Sequence, residues 1–295
     1  MADVTVAGAP KRESGMRRAL KAIALIRESV VGMIGLSLIG LWVLVALLAP
    51  LLAPFDPLAT ISPYGVPGTA APNGGTFVLG TDKLGRDVLS RIIWGARTVL
   101  IYAPLATICA YLVGVPMGLL AGYRQGMWDD VLSFIANIIL SFPVLVLYVI
   151  IIATVGASAI NIVVAVTFAS APGIFRIVRG LTLDLRTREY VFAAETRGES
   201  VSHIMFVEIL PNARGPLIVD ACLRVGYVII TIGVLGFLGL GLPPPDPDWG
   251  GMVNENRAVA MTFPHMAVFP CIAISSLVLG FNLLADGLRE VSLRD

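Results

Sequence analysis

The sequence predicts an all-α membrane protein of six transmembrane helices with both termini on the cytoplasmic side. Three observations carry that expectation. The chain of 295 residues is 57% apolar and only 14% charged, and its mean hydropathy of +0.86 is far from that of soluble domains. Its uncharged runs reach the roughly 20 residues that a helix needs to cross the hydrocarbon core. Lys and Arg are shared unevenly among the segments that join those runs. Basic and acidic residues number 21 and 20, so no global field points to nucleic acid, and the information lies in where the charges sit.

The first apolar run, 30–53, is longer than the roughly 7–15 residues of a secretory h-region, which predicts an uncleaved anchor. Residues 98–123 form the second. The uncharged stretch 131–175 is too long for one helix and suits two, with a break near "TVGASAIN". Residues 216–242 make the fifth span and 258–285 contain the sixth. The resulting organisation is an amino-terminal arm (1–29), a membrane domain (30–290) and a short tail (291–295). Within it lie two outer loops (54–95 and 242–257) and one long cytoplasmic loop (181–215). Pro104, Pro116 and Pro143 fall inside spans, where proline bends a helix or serves packing.

Orientation follows from the flanking cations. Fifteen Lys and Arg, including Lys11, Arg12, Arg124, Arg176, Arg197 and Arg289, fall on the side of the arm, the long loop and the tail. Five, namely Lys83, Arg86, Arg91, Arg97 and Arg257, fall on the other. The cation-rich side is read as cytoplasmic.

Cys109, Cys222 and Cys271 are dispersed through apolar runs, so no disulfide framework is expected. His203 and His265 are read as having no carboxylate or thiol at ligand spacing, and no metal site is expected. No nucleophile, base and carboxylate set and no GxxxxGK[ST] loop occurs, which excludes an enzyme built on those motifs and predicts no cofactor on this chain.

Inside the fifth span, Asp220 precedes Arg224 by one helical turn, the favourable order for an intrahelical pair. A charge within a span is costly and faces a partner or water. The pair is either structural or lines a substrate path. Gly233, Gly236 and Gly239 recur every third residue, which permits close helix packing or a hinge. Asn282, Asp286 and Arg289 are expected to end the sixth span as a cap and ion pair.

The stretch "EYVFAAETRGESVSHIMFVEILPN" is the long hydrophilic exception. Residues 189–197 read as a short helix containing Tyr190, with Glu189 in its first turn and Arg197 in its last, where the helix dipole favours a cation. Gly198 suits a left-handed cap, Ser200 or Ser202 caps a second helix, and Pro211 is expected to stop it. The small Ala193 and Ala194 would let another protein approach closely. This pattern resembles the EAA loop of ATP-binding-cassette importer permeases: Ala193, Ala194, Gly198, Leu210 and Pro211 fall in register, with Phe192 in place of the first glutamate and Glu208 in place of the isoleucine. The blocks "LGTDKLGRDVLSRIIWGAR", "FLGLGLPPPDPDWGGM" and "FPCIAISSLVLGFNLLADGLRE" resemble the peptide and nickel importer permeases of the C type.

That resemblance implies the type I importer permease fold in a bacterial inner membrane. It also implies a second homologous permease subunit, two cytoplasmic ATPase subunits that bind ATP and Mg, and an extracytoplasmic solute-binding protein. The cargo it implies is a di- or oligopeptide, with glutathione or a nickel chelate as alternatives. The rival from another class is a secondary transporter or channel without an ATPase, for which the residues offer only Asp220 and Arg224 as intramembrane ionisable groups.

Overall fold

A computed structural model of the protein describes residues 27, 29–72, 74–242 and 246–292. Most of the arm assigned to 1–29, the prolines at 243–245 and the end of the tail lie outside the described residues.

The spans form because long apolar segments are punctuated by good caps. Helix α1 (Val30–Leu47) starts at Ser29, whose hydroxyl accepts from the Gly32 amide at 3.2 Å. A four-residue helix, α2 (Ala49–Leu52), completes the first apolar run. A two-stranded antiparallel ribbon follows, β1 (Thr69–Ala70) with β2 (Thr76–Phe77), pairing Thr69 with Phe77 and Ala70 with Thr76. These are the only named strands among the described residues.

Helix α3 (Val88–Arg124) begins ten residues before the expected start of the second span, because the Asp87 carboxylate caps it by accepting from the Ser90 amide. The outer loop is correspondingly shorter than 54–95. α3 runs through Pro104 and Pro116 without a break.

The run 131–175 holds more than two helices. α4 (Met127–Ser141) and α5 (Val144–Val155) meet at an 88° bend, and α6 (Ala159–Leu185) begins after the expected break near "TVGASAIN". The bend falls at Phe142, which takes an extended conformation (φ −83°, ψ 140°) because the ring of Pro143 disfavours the α region for the residue before it. α3 and α6 pack closely: Gly114, Gly118 and Gly122, one turn apart, receive Ile174, Val178 and Thr182, and a Cβ on any of the three would lie within 2.9 Å of the facing residue.

Beyond the hydrophilic segment come α7 (Glu189–Thr196), α8 (Val201–His203), a π-helical turn (Ile204–Ile209) and α9 (Leu210–Phe237). A short helix, α10 (Trp249–Asn256), lies in the following loop, and α11 (His265–Ser292) closes the fold. α11 begins later than residue 258 because a 3-10 turn at Arg257–Val259 and Pro264 intervene. It also continues past Asn282, Asp286 and Arg289, so these sit within the helix and do not end it. Among the described residues, five helices are long and apolar enough to cross a membrane, and the bent α4–α5 pair raises the count to as many as six.

Candidate functional site

The hydrophilic segment folds into a hairpin seated on the bundle. Val191 and Ala194 of α7 are fully buried and pack in one cluster with Ile204, Ile209, Leu119 and Val178. The two alanines therefore differ, since Ala194 anchors the hairpin while Ala193 is exposed beside Phe192. Tyr190 packs at the edge of the same cluster, and Glu189 is exposed in the first turn.

Arg197 sits one position beyond α7 as its C-cap residue. Gly198 follows at φ 75°, and the Glu199 amide reaches back to the Ala194 carbonyl at 3.2 Å, the six-to-one bond of a Schellman cap. No atom lies within 4 Å of where a Gly198 Cβ would stand, so the demand for glycine comes from the backbone alone. Ser200 then caps the second helix by accepting from the His203 amide at 3.3 Å.

Two expectations fail here. Pro211 does not stop the second helix: residues run without interruption from Val201 to Phe237. The π turn explains this, because a proline inside a helix lacks an N–H and crowds the preceding carbonyls, and the widened turn, with the Leu210 amide bonded to Met205, relieves that crowding. Leu210 and Pro211 thus open α9.

His203 also has carboxylates near it. Glu199 approaches its Nε2 at 3.0 Å, and the ligand atoms of Glu199, His203 and Glu208 lie within 4.8 Å of one another. Glu199 precedes His203 by four residues, a spacing visible in the sequence, and the π turn brings Glu208, five residues beyond His203, to the same side. A cation is already present, since the Arg197 guanidinium lies 2.6 Å from Glu199 and 3.6 Å from Glu208.

In the interior of α9, Arg224 Nε donates to Asp220 Oδ2 at 2.6 Å, and Tyr111 of α3 donates to the same oxygen at 2.5 Å. Gly233 and Gly236 face α10 closely. A Cβ on Gly250 would stand 2.0 Å from the Gly233 carbonyl oxygen, and one on Gly236 would stand 2.1 Å from Asp248 Oδ2. Gly239 follows α9 at φ 79°. The three glycines therefore serve close approach and helix termination in this conformation.

Sequence reasoning missed a buried ionic clasp at the opposite end of the bundle from the hairpin. Asp82, fully buried, accepts from the Leu84 and Arg86 amides at 2.9 Å, from Arg86 Nε at 2.7 Å and from Arg91 Nη1 at 2.7 Å. Arg91 reaches Glu255 of α10 at 2.8 Å, and Arg86 also pairs with Glu255. Trp249, fully buried, donates its indole N–H to the Ile92 carbonyl at 3.0 Å. Asp248 caps α10 through the Gly250 and Gly251 amides. Burial pushes its carboxyl up to about 6, against the lowering effect of those two amides and of Arg91. The signal was present in the density of Asp, Arg and Gly in "GTDKLGRD" and "PDPDWGG", which polar loops alone would not need.

The family described as "Binding-protein-dependent transport system inner membrane component" matches residues 114–294. The chain belongs to that family. It is a permease subunit of an ABC importer and a multi-pass membrane protein, and family membership implies ATPase and substrate-binding partners. Among its relatives, the glutathione transport system permease protein GsiD of Pectobacterium atrosepticum is 42% identical over 212 residues, 72% of this chain and 70% of that one. The dipeptide transport system permease protein DppC of Alkalihalophilus pseudofirmus is 36% identical over 271 residues, 92% of this chain and 88% of that one. DppC of Haemophilus influenzae is 35% identical over 260 residues, 88% of each. Among solved structures, an inward-facing conformation of the MetNI methionine ABC transporter matches with a TM-score of 0.57 at 20% identity, covering 69% of this chain and 96% of that one. At that identity the match shows the fold.

Proposed function

We propose that this permease subunit forms half of the pathway of an importer for di- or oligopeptides and couples to the ATPases through the hairpin at Glu189–Pro211. The α4–α5 pair counts as one bent span, giving six, with both termini and the hairpin cytoplasmic and the Asp82 clasp external. A second homologous permease completes the pathway, two ATPase subunits bind ATP and Mg, and an external binding protein delivers cargo. This chain binds no nucleotide and performs no catalysis. Glutathione and nickel chelates are the alternative cargoes. The named functions of the relatives support a peptide-like solute.

One observation carries the coupling: the second helix of the hairpin is continuous with α9, from Val201 to Phe237. Displacement of the hairpin by ATPase closure therefore moves a spanning helix directly, with the π turn as the place where the rod yields. Phe192, 54% exposed on α7, presents an apolar knob to the ATPase surface.

The test is reconstitution of the complex in liposomes with loaded binding protein. ATP-dependent uptake is expected with the ATPases, and none without them. Uptake by the permeases alone would establish a secondary transporter instead. A reporter fused after Gly126 or Asp295 should be cytoplasmic and one within 62–75 external.

A further inference from the structure

Asp220 and Arg224 occupy a helix apolar enough to span a bilayer, where charges face protein or water and not lipid. Their arrangement uses only part of the guanidinium. Nε is held by Asp220, and Asp220 is held in turn by Tyr111. Beyond the Tyr111 hydroxyl, which also interacts with Arg224, Nη1 and Nη2 have no carboxylate or carbonyl acceptor among the described residues. They lie over Gly173 of α6, where a Cβ would stand 3.1 and 3.3 Å from them. Glycine thus makes room for the end of the fork, which any side chain at this position would crowd.

The rest of that helix face is polar as well. Arg224, Tyr227 and Thr231 follow Asp220 at i+4, i+7 and i+11, a stripe climbing about 16 Å along α9. Tyr227 is 65% exposed, and at the far end of the stripe Tyr148 adjoins both Thr231 and Ser170. Other exposed span surfaces look different: α1 presents Ile34, Leu41, Leu44 and Leu47. Lipid asks for the second kind of surface, and a hydrated track asks for the first.

We propose that Asp220, Arg224, Tyr227 and Thr231 form this chain's share of the hydrated track, with the free end of the Arg224 fork binding the carboxylate of passing cargo. Two parallel N–H donors match two carboxylate oxygens, which a lysine ammonium cannot reproduce. Asp220 and Tyr111 are positioning residues that aim the fork, and Gly173 keeps its end accessible. The inference rests on the importer reading and names the chemistry that its pathway recognises.

The experiment uses the complete importer complex carrying Tyr227→Cys, with Cys109, Cys222 and Cys271 replaced by alanine. The introduced thiol is labelled with two membrane-impermeant methanethiosulfonates, one bearing a sulfonate and one a quaternary ammonium, in nucleotide-free and vanadate-trapped states. Labelling in at least one state is expected, with the anionic reagent faster by roughly tenfold because a guanidinium lies one turn away. That preference should vanish in the double variant Asp220→Asn, Arg224→Gln, which leaves no uncompensated charge and is checked for assembly by co-purification. Arg224→Lys should keep the preference, since it keeps the charge, and serves if the double variant fails to assemble: loss of the preference there would overturn the proposal. So would an absence of labelling in both states, or an anionic preference that survives removal of Arg224. Uptake without ATPases would defeat the importer reading while leaving the labelling result standing, so the two failures are distinguishable.

Discussion

The clasp and the hairpin lie at opposite ends of α3, a helix about 55 Å long at 1.5 Å per residue, and they are held by opposite kinds of interaction. In the clasp, Asp82 and Arg91 are almost fully buried, Glu255 of α10 ties that loop to a segment more than 160 residues away, and Gly236 and Gly250 allow backbone approach that no other residue permits. In the hairpin, the ion pairs are local and mostly exposed, as in Arg188 with Asp184 and Arg197 with Glu199. Its second helix contains a π turn. Buried charge networks resist displacement because any shift leaves a charge unpaired in low dielectric. Exposed pairs rearrange at little cost because water replaces the partner. The chain thus has one end built to hold and one built to be moved.

The largest expected effect breaks the first half of that contrast. Arg91→Ala strands Asp82 and Glu255 with one guanidinium between them, at an expected cost of about 3–5 kcal/mol. Thermal melting of the purified complex and hydrogen exchange in α10 should both register it, and Arg91→Lys should recover only part. An unchanged melting temperature would show that the clasp is not the rigid end.

Next comes the hairpin. Gly198→Val forces a β-branched residue to φ near 75°, at about 1–2 kcal/mol of local strain. Insertion and melting should survive, while ATP hydrolysis uncouples from uptake in proteoliposomes, because the two short helices no longer meet at the same angle. Normal uptake by this variant would remove the coupling role from the hairpin.

A smaller effect concerns pH at the clasp. Burial holds the folded Asp248 carboxyl near 6, above the 3.8 of a free one. The folded clasp therefore binds the proton more readily than the unfolded chain does, so this group's contribution to stability rises as pH falls from about 6 towards 4 and is lost as pH rises through 6. Hydrogen exchange of α10 measured across that window should show the trend in the wild type and a flatter profile in Asp248→Asn. The smallest effect is expected for Arg188→Ala: its pair with Asp184 is 57% and 65% exposed, and no shift in melting temperature should be detected. A clear loss there would blur the contrast between the two ends.

Much of this architecture is written in local sequence. Apolar runs long enough to cross a bilayer fix the number of spans to within the ambiguity of one bend, since hydrocarbon rejects unsatisfied backbone and charge whatever the neighbouring helices do. Ser200 and Gly198 announce the hairpin because caps and positive φ are properties of a few consecutive residues. Other features depend on backbone geometry or on packing that the order of residues does not announce. That Pro211 opens a helix instead of ending one depends on the π turn that accommodates it. The clasp joins residues 82, 91 and 255, the Arg224 fork rests over Gly173, and the π turn brings Glu208 to the side of the helix where Glu199 meets His203. Local chemistry determines where the chain must be helical and apolar, because each residue meets that demand alone; which charges are neutralised and which remain open to a ligand is decided only in the tertiary structure, because the energy of a charge depends on what packing brings within a few ångströms of it.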